Sequence, residues 1–398
     1  MIRNFYFIVY KNLPKNTQKI SVLTLEYIKK FIGKKDKLVV VDARVLSFRP
    51  NKKNIYSYKS KNVEFIKIRN FKDFFKLLNK NSYCFTDINY TLRDYILFFL
   101  IKLKKIKIIL INNIGYYTQV SLTPKKKIFF FDSLIFFFNN LIFKILLLIS
   151  VLPHIHYYFE SSQIRINSLR KSLSKKLQKK IFLKNIFYFK KIIRINSKYF
   201  DEIRSYKKIN EEKYVVYVDN GFDHPDRILM DGKPKSIDRR IYFEQLAMFL
   251  NKLGNYYKLN VIFCCHPKSH IYKKGHYFYK LFNFCKMTNN TDYYLERSKV
   301  AVFQISSLIN KAILIKKSII LTKSNLLGTY FNEKLSDLNA QIDLVNVDLS
   351  RVNDLNFLKI EKELKKKIKL YNYYITVNHF INKNLNSFDQ IKKSLLIK

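Results

Sequence analysis

Three short apolar runs in the second half of the chain set the strongest constraint on its fold: Tyr214–Val218, Val261–Cys265 and Val300–Ile305. Each is rich in β-branched or aromatic residues, and stretches of helical length separate them. Uninterrupted apolar runs of four to eight residues, spaced in this way, are the pattern of strands buried on both faces of a parallel sheet. Each run also stops abruptly in polar sequence. The first ends in Asp219-Asn220-Gly221, the second in His266-Pro267-Lys268-Ser269, the third in Ser306-Ser307. In open α/β sheets, ligands bind outside the carboxyl ends of the strands. All three polar clusters are expected there, so residues 214–330 read as one functional unit.

The rest of the chain extends the same alternation. Phe5–Tyr10, Leu38–Val41, Val63–Ile68, Tyr83–Phe85 and Ile106–Ile111 read as strands, with helices over Ser21–Ile32, Phe71–Asn79 and Leu92–Lys105. His154–Phe159 adds a further strand to that first sheet, and Gly115 reads as a turn. Segment 164–213 is strongly basic and reads as helix or linker, which sets a domain boundary near 205. Beyond it, Ile241–Leu253 and Ser307–Ile315 have helical spacing, Ile319–Thr322 is a fourth strand, 334–357 is irregular, and Lys359–Asn382 is a closing helix. The expected organisation is α/β, with two doubly wound parallel-sheet domains over 1–205 and 206–345. A helical segment over 346–398 is expected to pack back on the first domain.

With 75 Lys and Arg against 29 Asp and Glu, the net charge is +46. Part of this is compositional, since Lys, Asn, Ile, Phe and Tyr are abundant and only seven glycines and seven prolines occur. Part is local. Arg165 to Lys198 contains 12 basic residues and no acid, a run suited to anionic lipid. Ile128–Leu152 is almost wholly apolar, with Asp132, Ser133, Asn139, Asn140, Lys144 and Ser150 on one helical face. Those polar residues argue against a span, so the segment is expected to lie in a membrane interface or against a protein core. No secretory signal is read at the N-terminus, and cytoplasmic placement at the inner face of the cytoplasmic membrane is expected. Four cysteines lack metal spacing, and His154 and His156 have no acidic or cysteine neighbour. No RNA- or DNA-binding signature is present, so nucleic acid is not an expected partner.

His266 at a strand end can donate to a phosphate oxygen, and Pro267 fixes the backbone behind it. Ser306 and Ser307 precede a helix and offer hydroxyls to an anion. Lys268 and Ser269 supply further phosphate contacts. Asp219 is the candidate base for an acceptor hydroxyl, with Asp223, His224 and Asp226 as alternatives. An acid with Gly two positions on, a His-Pro at a strand end and a Ser-Ser before a helix resemble the motifs of GT-B sialyltransferases and polysialyltransferases of bacterial surface glycans. The resemblance to capsule Kdo transferases is looser. It covers about 130 residues, and Asn220 stands where the family pattern has a second acid.

The resemblance implies two Rossmann-like domains facing a cleft, a CMP-activated nonulosonic acid donor bound at Gly221, Pro267, Lys268, Ser306 and Ser307, and a catalytic His266 that contacts the phosphate and helps CMP leave. It also implies a glycan or glycolipid acceptor and no cofactor beyond the donor itself, with no metal. The rival readings are a CDP-polyol phosphotransferase of teichoic-acid type and a non-catalytic basic protein that binds polyanions or membranes.

Overall fold

The computed structural model describes residues 4–9, 28, 36–46, 63–80, 82–86, 95–112, 155–162, 189–204, 209, 212–221, 239–266, 269, 277–378 and 381–396. Two sheets organise these residues. The first contains β1 (Asn4–Val9), β2 (Lys37–Asp42), β3 (Val63–Lys67), β4 (Tyr83–Thr86), β5 (Lys107–Asn112), β6 (Ile155–Glu160) and β7 (Phe189–Arg194), in the order β3-β2-β1-β4-β5-β6-β7. The second contains β8 (Tyr214–Val218), β9 (Asn260–Cys264), β10 (Lys286–Thr288), β11 (Ser298–Phe303), β12 (Ser318–Lys323) and β13 (Val345–Asp348), ordered β10-β9-β8-β11-β12-β13. Every pairing is parallel. The expected α/β class with two doubly wound parallel sheets is what the structure shows.

Each sheet starts at its centre, builds outward on one side, then returns and builds outward on the other. That reversal leaves a switch point between β1 and β4 in one sheet and between β8 and β11 in the other. Helices cover both faces of the second sheet. On one side α4 (Arg239–Tyr257) packs Tyr242, Phe243, Leu246, Phe249 and Leu250 against Val215, Tyr217, Phe263 and Val302. On the other, α5 (Thr291–Glu296), α6 (Leu308–Leu314) and α7 (Gly328–Ile342) pack Leu295, Ile309, Ile313, Leu335 and Leu338 against Val216, Ile262, Ala301 and Phe303. Because both faces are buried, every strand position favours an apolar side chain, and each full burial contributes roughly 1.5–3 kcal/mol. This is why Tyr214–Val218 and Val261–Cys265 are unbroken.

Contacts divide the chain into two units. One ends at Asn196 and takes back Phe380–Lys398; the other includes Ser197–His379. In the first unit, α1 (Phe71–Leu77) and α2 (Tyr95–Leu103) cover one sheet face with Phe74, Leu97, Phe98 and Ile101. Helix α3 (Lys198–Arg204) and the 22-residue α8 (Phe357–Asn378) belong to the second unit, so the part that returns is shorter than 346–398. Helix α9 (Ser387–Leu396) returns Ile391 and Leu395 to the other face of the first sheet. Asn196 fixes that return. Its amide donates to the carbonyls of Asn382 (3.0 Å) and Leu385 (2.9 Å) and accepts from Asn382 N at 2.7 Å.

Three elements differ from the sequence reading. β7 lies within the basic segment read as helix or linker, where FKKIIR forms an edge strand. An edge strand tolerates the lysines that mask its pattern. The 334–357 region is ordered by α7 and β13, and the three-residue β10 had no run long enough to read. The 128–152 helix lies outside the described residues. Among the described residues no helix is long and apolar enough to cross a membrane.

One buried charge sets the spacing of α5 and α6. Lys311, with its side chain 5% exposed, donates to Asp292 Oδ1 at 2.6 Å and reaches Glu296 Oε1 at 3.0 Å. Burial disfavours its charge, but the two carboxylates outweigh that and raise its pKa above the usual lysine value. Its contribution to stability is therefore complete below the ordinary lysine pKa and is lost only as pH rises through the higher folded value. Lys311→Met is expected to cost about 1–2 kcal/mol in urea unfolding at neutral pH, because the carboxylates left behind remain partly solvated. That loss should shrink in strongly alkaline solution.

Candidate functional site

The end of β8 sits between the ends of β9 and β11, so the three polar clusters are brought side by side at the switch point. Asp219, 4% exposed, works as a clip. Its Oδ1 accepts from Gly221 N at 2.9 Å and its Oδ2 accepts from His266 N at 3.1 Å. Its own N–H donates to Cys264 O at 2.9 Å, extending the β8–β9 pairing by one bond. An Asp that accepts from the N–H two residues on is the Asx turn that ends many strands. Here the second oxygen also fixes the backbone of the neighbouring strand. At Asp219, expected as the general base, the structure shows a buried carboxylate whose two oxygens each accept a backbone N–H.

Gly221 follows with φ +70°, the left-handed region that L side chains rarely adopt. The reason is His266. A Cβ on Gly221 would stand 2.8 Å from His266 Nδ1 and 3.1 Å from Cγ, so the imidazole lies directly against the glycine backbone. His266 is partly buried, and its carbonyl accepts from Ser269 N at 2.8 Å. The residues spanned by that bond, Pro267 and Lys268, lie outside the described residues, as do Asp223, His224 and Asp226.

The third cluster differs from a simple helix cap. Ser307 stands at the N-cap of α6 in helical conformation and makes no side-chain cap bond. Its Oγ accepts from Tyr199 Oη of α3 at 3.0 Å, which leaves its own hydrogen for another acceptor. Ser306 Oγ accepts instead from Leu308 N at 3.2 Å. With only seven residues, α6 adds little dipole, so the hydroxyls are the chemically useful groups.

Sequence reasoning missed the polar layer beneath these clusters. Gln304, 1% exposed, donates from Nε2 to Tyr242 Oη, which lies 3.5 Å from Tyr217 Oη. Burial raises the Tyr242 pKa, with the Asp219 charge adding to the effect, so the phenol stays protonated. Gln304 Oε1 and Asn220 Nδ2 are buried without a hydrogen-bond partner among the described residues. The visible signal was Gln304 itself, the one polar residue within the run Val300–Ile305. Cys264 and Cys265 are packed, with burial pushing both thiols up to about 12.

Beside His266, Cys265 N donates to Thr288 O at 2.8 Å and ties β10 to the site. There a cavity of about 390 Å³ is lined by Tyr279, Cys285, Lys286, Met287, Thr288 and Asn289. Its volume falls in the range of small-molecule pockets. In the first sheet, His156 Nδ1 accepts from Ile108 N at 3.3 Å, a structural bond. Among the described residues no group of three or more His, Cys, Asp or Glu could hold a metal ion.

No protein-family model matches the chain, and no curated protein matches it. Among solved structures, it is similar to the wall teichoic acid polymerase TagF, H444N variant with CDPG, at 13% identity and a TM-score of 0.47, covering 99% of this chain and 88% of that one. It is also similar to S. aureus MnaA with UDP (11%, TM-score 0.45) and to a glycosyltransferase from Rickettsia africae (11%, 0.44); each alignment covers 99% of this chain and 97% of the other. Identities this low and superpositions this loose leave the chemistry to the strand-end residues.

Proposed function

We propose that this chain is a GT-B-type glycosyltransferase that moves a nonulosonic acid, sialic acid-like or Kdo, from a CMP-activated donor to a cell-surface glycan acceptor. One observation supports the reading above the others. An imidazole (His266), two serine hydroxyls (Ser306 and Ser307) and a buried unpartnered amide (Asn220) stand on three neighbouring strand ends at the switch point. That set consists of hydrogen-bond donors suited to a single phosphate group.

In the proposed reaction an acceptor hydroxyl attacks the anomeric carbon of the donor, the bond from that carbon to the phosphate oxygen breaks, and CMP leaves. His266, with Ser306 and Ser307, stabilises the charge that develops on the departing phosphate. The cavity along β10 receives the nucleoside, one strand from His266. Asp219 positions His266 and Gly221 and does not take the acceptor proton. The proton is assigned to a base among Asp223, His224 and Asp226. Partners are thus the nucleotide-sugar donor and a glycan or glycolipid, met at the cytoplasmic face of the membrane.

The test is donor turnover with CMP-sialic acid, CMP-Kdo and CDP-glycerol, following CMP release and the phosphorus content of the product. CMP released with a phosphorus-free product supports the reading. Consumption of CDP-glycerol with a phosphodiester product would make the chain a polyol phosphotransferase. No turnover of any donor, with retained binding to polyanions, would make it a binding protein.

A further inference from the structure

Helix α8 (Phe357–Asn378) carries an outward face that its own fold leaves uncovered. Its inner side is fixed by Leu364, Tyr371 and Tyr374, all buried, with Ile360, Ile368 and Ile375 packed beside them. At 100° per residue, Leu358, Lys359, Lys362, Lys365, Lys366, Lys369, Leu370 and Tyr373 fall on the opposite side, within an arc of about 140°. All eight are exposed. Leu358 is 65% exposed, Leu370 44% and Tyr373 74%, so the helix alternates large apolar side chains with five lysines.

The acids of α8 lie outside that arc. Glu361 accepts from Tyr256 Oη at 2.8 Å and pairs with Lys365 at 3.0 Å, and the helix's other acid is Glu363. Lys367, between the two sides, pairs with Asp343. Lys359, Lys362, Lys366 and Lys369 have no ion pair among the described residues. A solvated helix face would have no use for Leu358 and Tyr373 at such exposure. A purely electrostatic polyanion site would use the lysines but not the leucines. Lysines flanking protruding leucine and tyrosine match the chemistry of an interface where anionic headgroups meet acyl chains.

We propose that this face of α8 docks the protein on an anionic phospholipid surface, with the lysines on the headgroups and Leu358, Leu370 and Tyr373 in the interfacial layer. The inference deepens the proposed membrane-borne acceptor and rests on that reading for its purpose, though not for its geometry.

Flotation of the full chain with phosphatidylcholine vesicles, with and without phosphatidylglycerol, tests it. The chain should float with the anionic vesicles only. Lys362→Glu/Lys366→Glu/Lys369→Glu should weaken that binding about a hundredfold, and Leu358→Ser/Leu370→Ser/Tyr373→Ser about tenfold. A control triple on α1 and just beyond it, Lys72→Glu/Lys76→Glu/Lys80→Glu, removes the same charge from exposed positions and should change binding little. Equal losses in the control would show that only net charge matters and overturn the proposal. So would wild-type binding in both α8 variants. Loss of heparin binding in the lysine variant, with vesicle binding unchanged in the Leu/Tyr variant, would make the face a polyanion site instead. CMP binding, measured on the same variants, reports separately on the proposed transferase: it should be retained whether or not vesicles bind.

Discussion

Asp219→Ala is expected to lower folding stability by about 3 kcal/mol and to abolish nucleotide binding. The carboxylate accepts backbone N–H bonds from Gly221 and His266, and it is 4% exposed. Removing it leaves one buried and one partly buried N–H group without an acceptor and unties the end of β8 from the end of β9. Asp219→Asn separates a clip from a base. The amide offers one acceptor oxygen and turns an NH₂ group toward the other N–H, so about 1–2 kcal/mol should be lost in urea unfolding, together with CMP affinity. A base would give the opposite pattern. An Asp219→Asn protein of full stability and full CMP affinity, with transfer reduced by two or more orders of magnitude, would return the acceptor proton to Asp219.

Gly221→Ala is expected to be the most damaging single methyl at the site. A left-handed backbone costs a non-glycine residue about 1–2 kcal/mol. The added Cβ would also meet His266 Nδ1 at 2.8 Å, so the imidazole must move. Thermal unfolding should show the first effect. The second should appear as a loss of CMP affinity of about tenfold, since the displaced ring can no longer reach the phosphate in line with Ser306 and Ser307. An Ala variant that loses stability but binds CMP as the parent does would show that His266 is not positioned by Gly221.

The buried strands were legible in the sequence because burial on both faces forces continuous apolar runs. Tyr214–Val218 is the same five residues in sequence and structure. Legibility failed where the physics leaves no run. β7 is an edge strand carrying two lysines, and β10 has three residues. Helix ends were hidden for a different reason. Lys105, Lys258, Lys316 and Asp343 take the left-handed conformation just past helices α2, α4, α6 and α7, a position usually signalled by glycine. A chain with seven glycines gives no such signal.

At the strand ends, the polar residue types were readable but their contacts were not. His266, Gly221 and the two serines stood out as polar residues after apolar runs. Whether Asp219 faces a substrate or two backbone amides depends on the turn at Gly221 and on the neighbouring strand, which no local pattern encodes. The Tyr217–Tyr242–Gln304 chain joins a strand, a helix and the residue just past β11, and only the folded sheet brings them together.

The central claim is that a nucleoside monophosphate binds at the ends of β8, β9 and β11 through His266. Isothermal titration of CMP, UMP and GMP into the native chain and into His266→Ala tests it directly. The account predicts that CMP binds the native chain in preference to the other two, and that His266→Ala lowers its affinity at least about tenfold, as loss of a charge-assisted bond to phosphate requires. CMP binding unchanged in His266→Ala, or no binding of any nucleotide by a folded native chain, would contradict it.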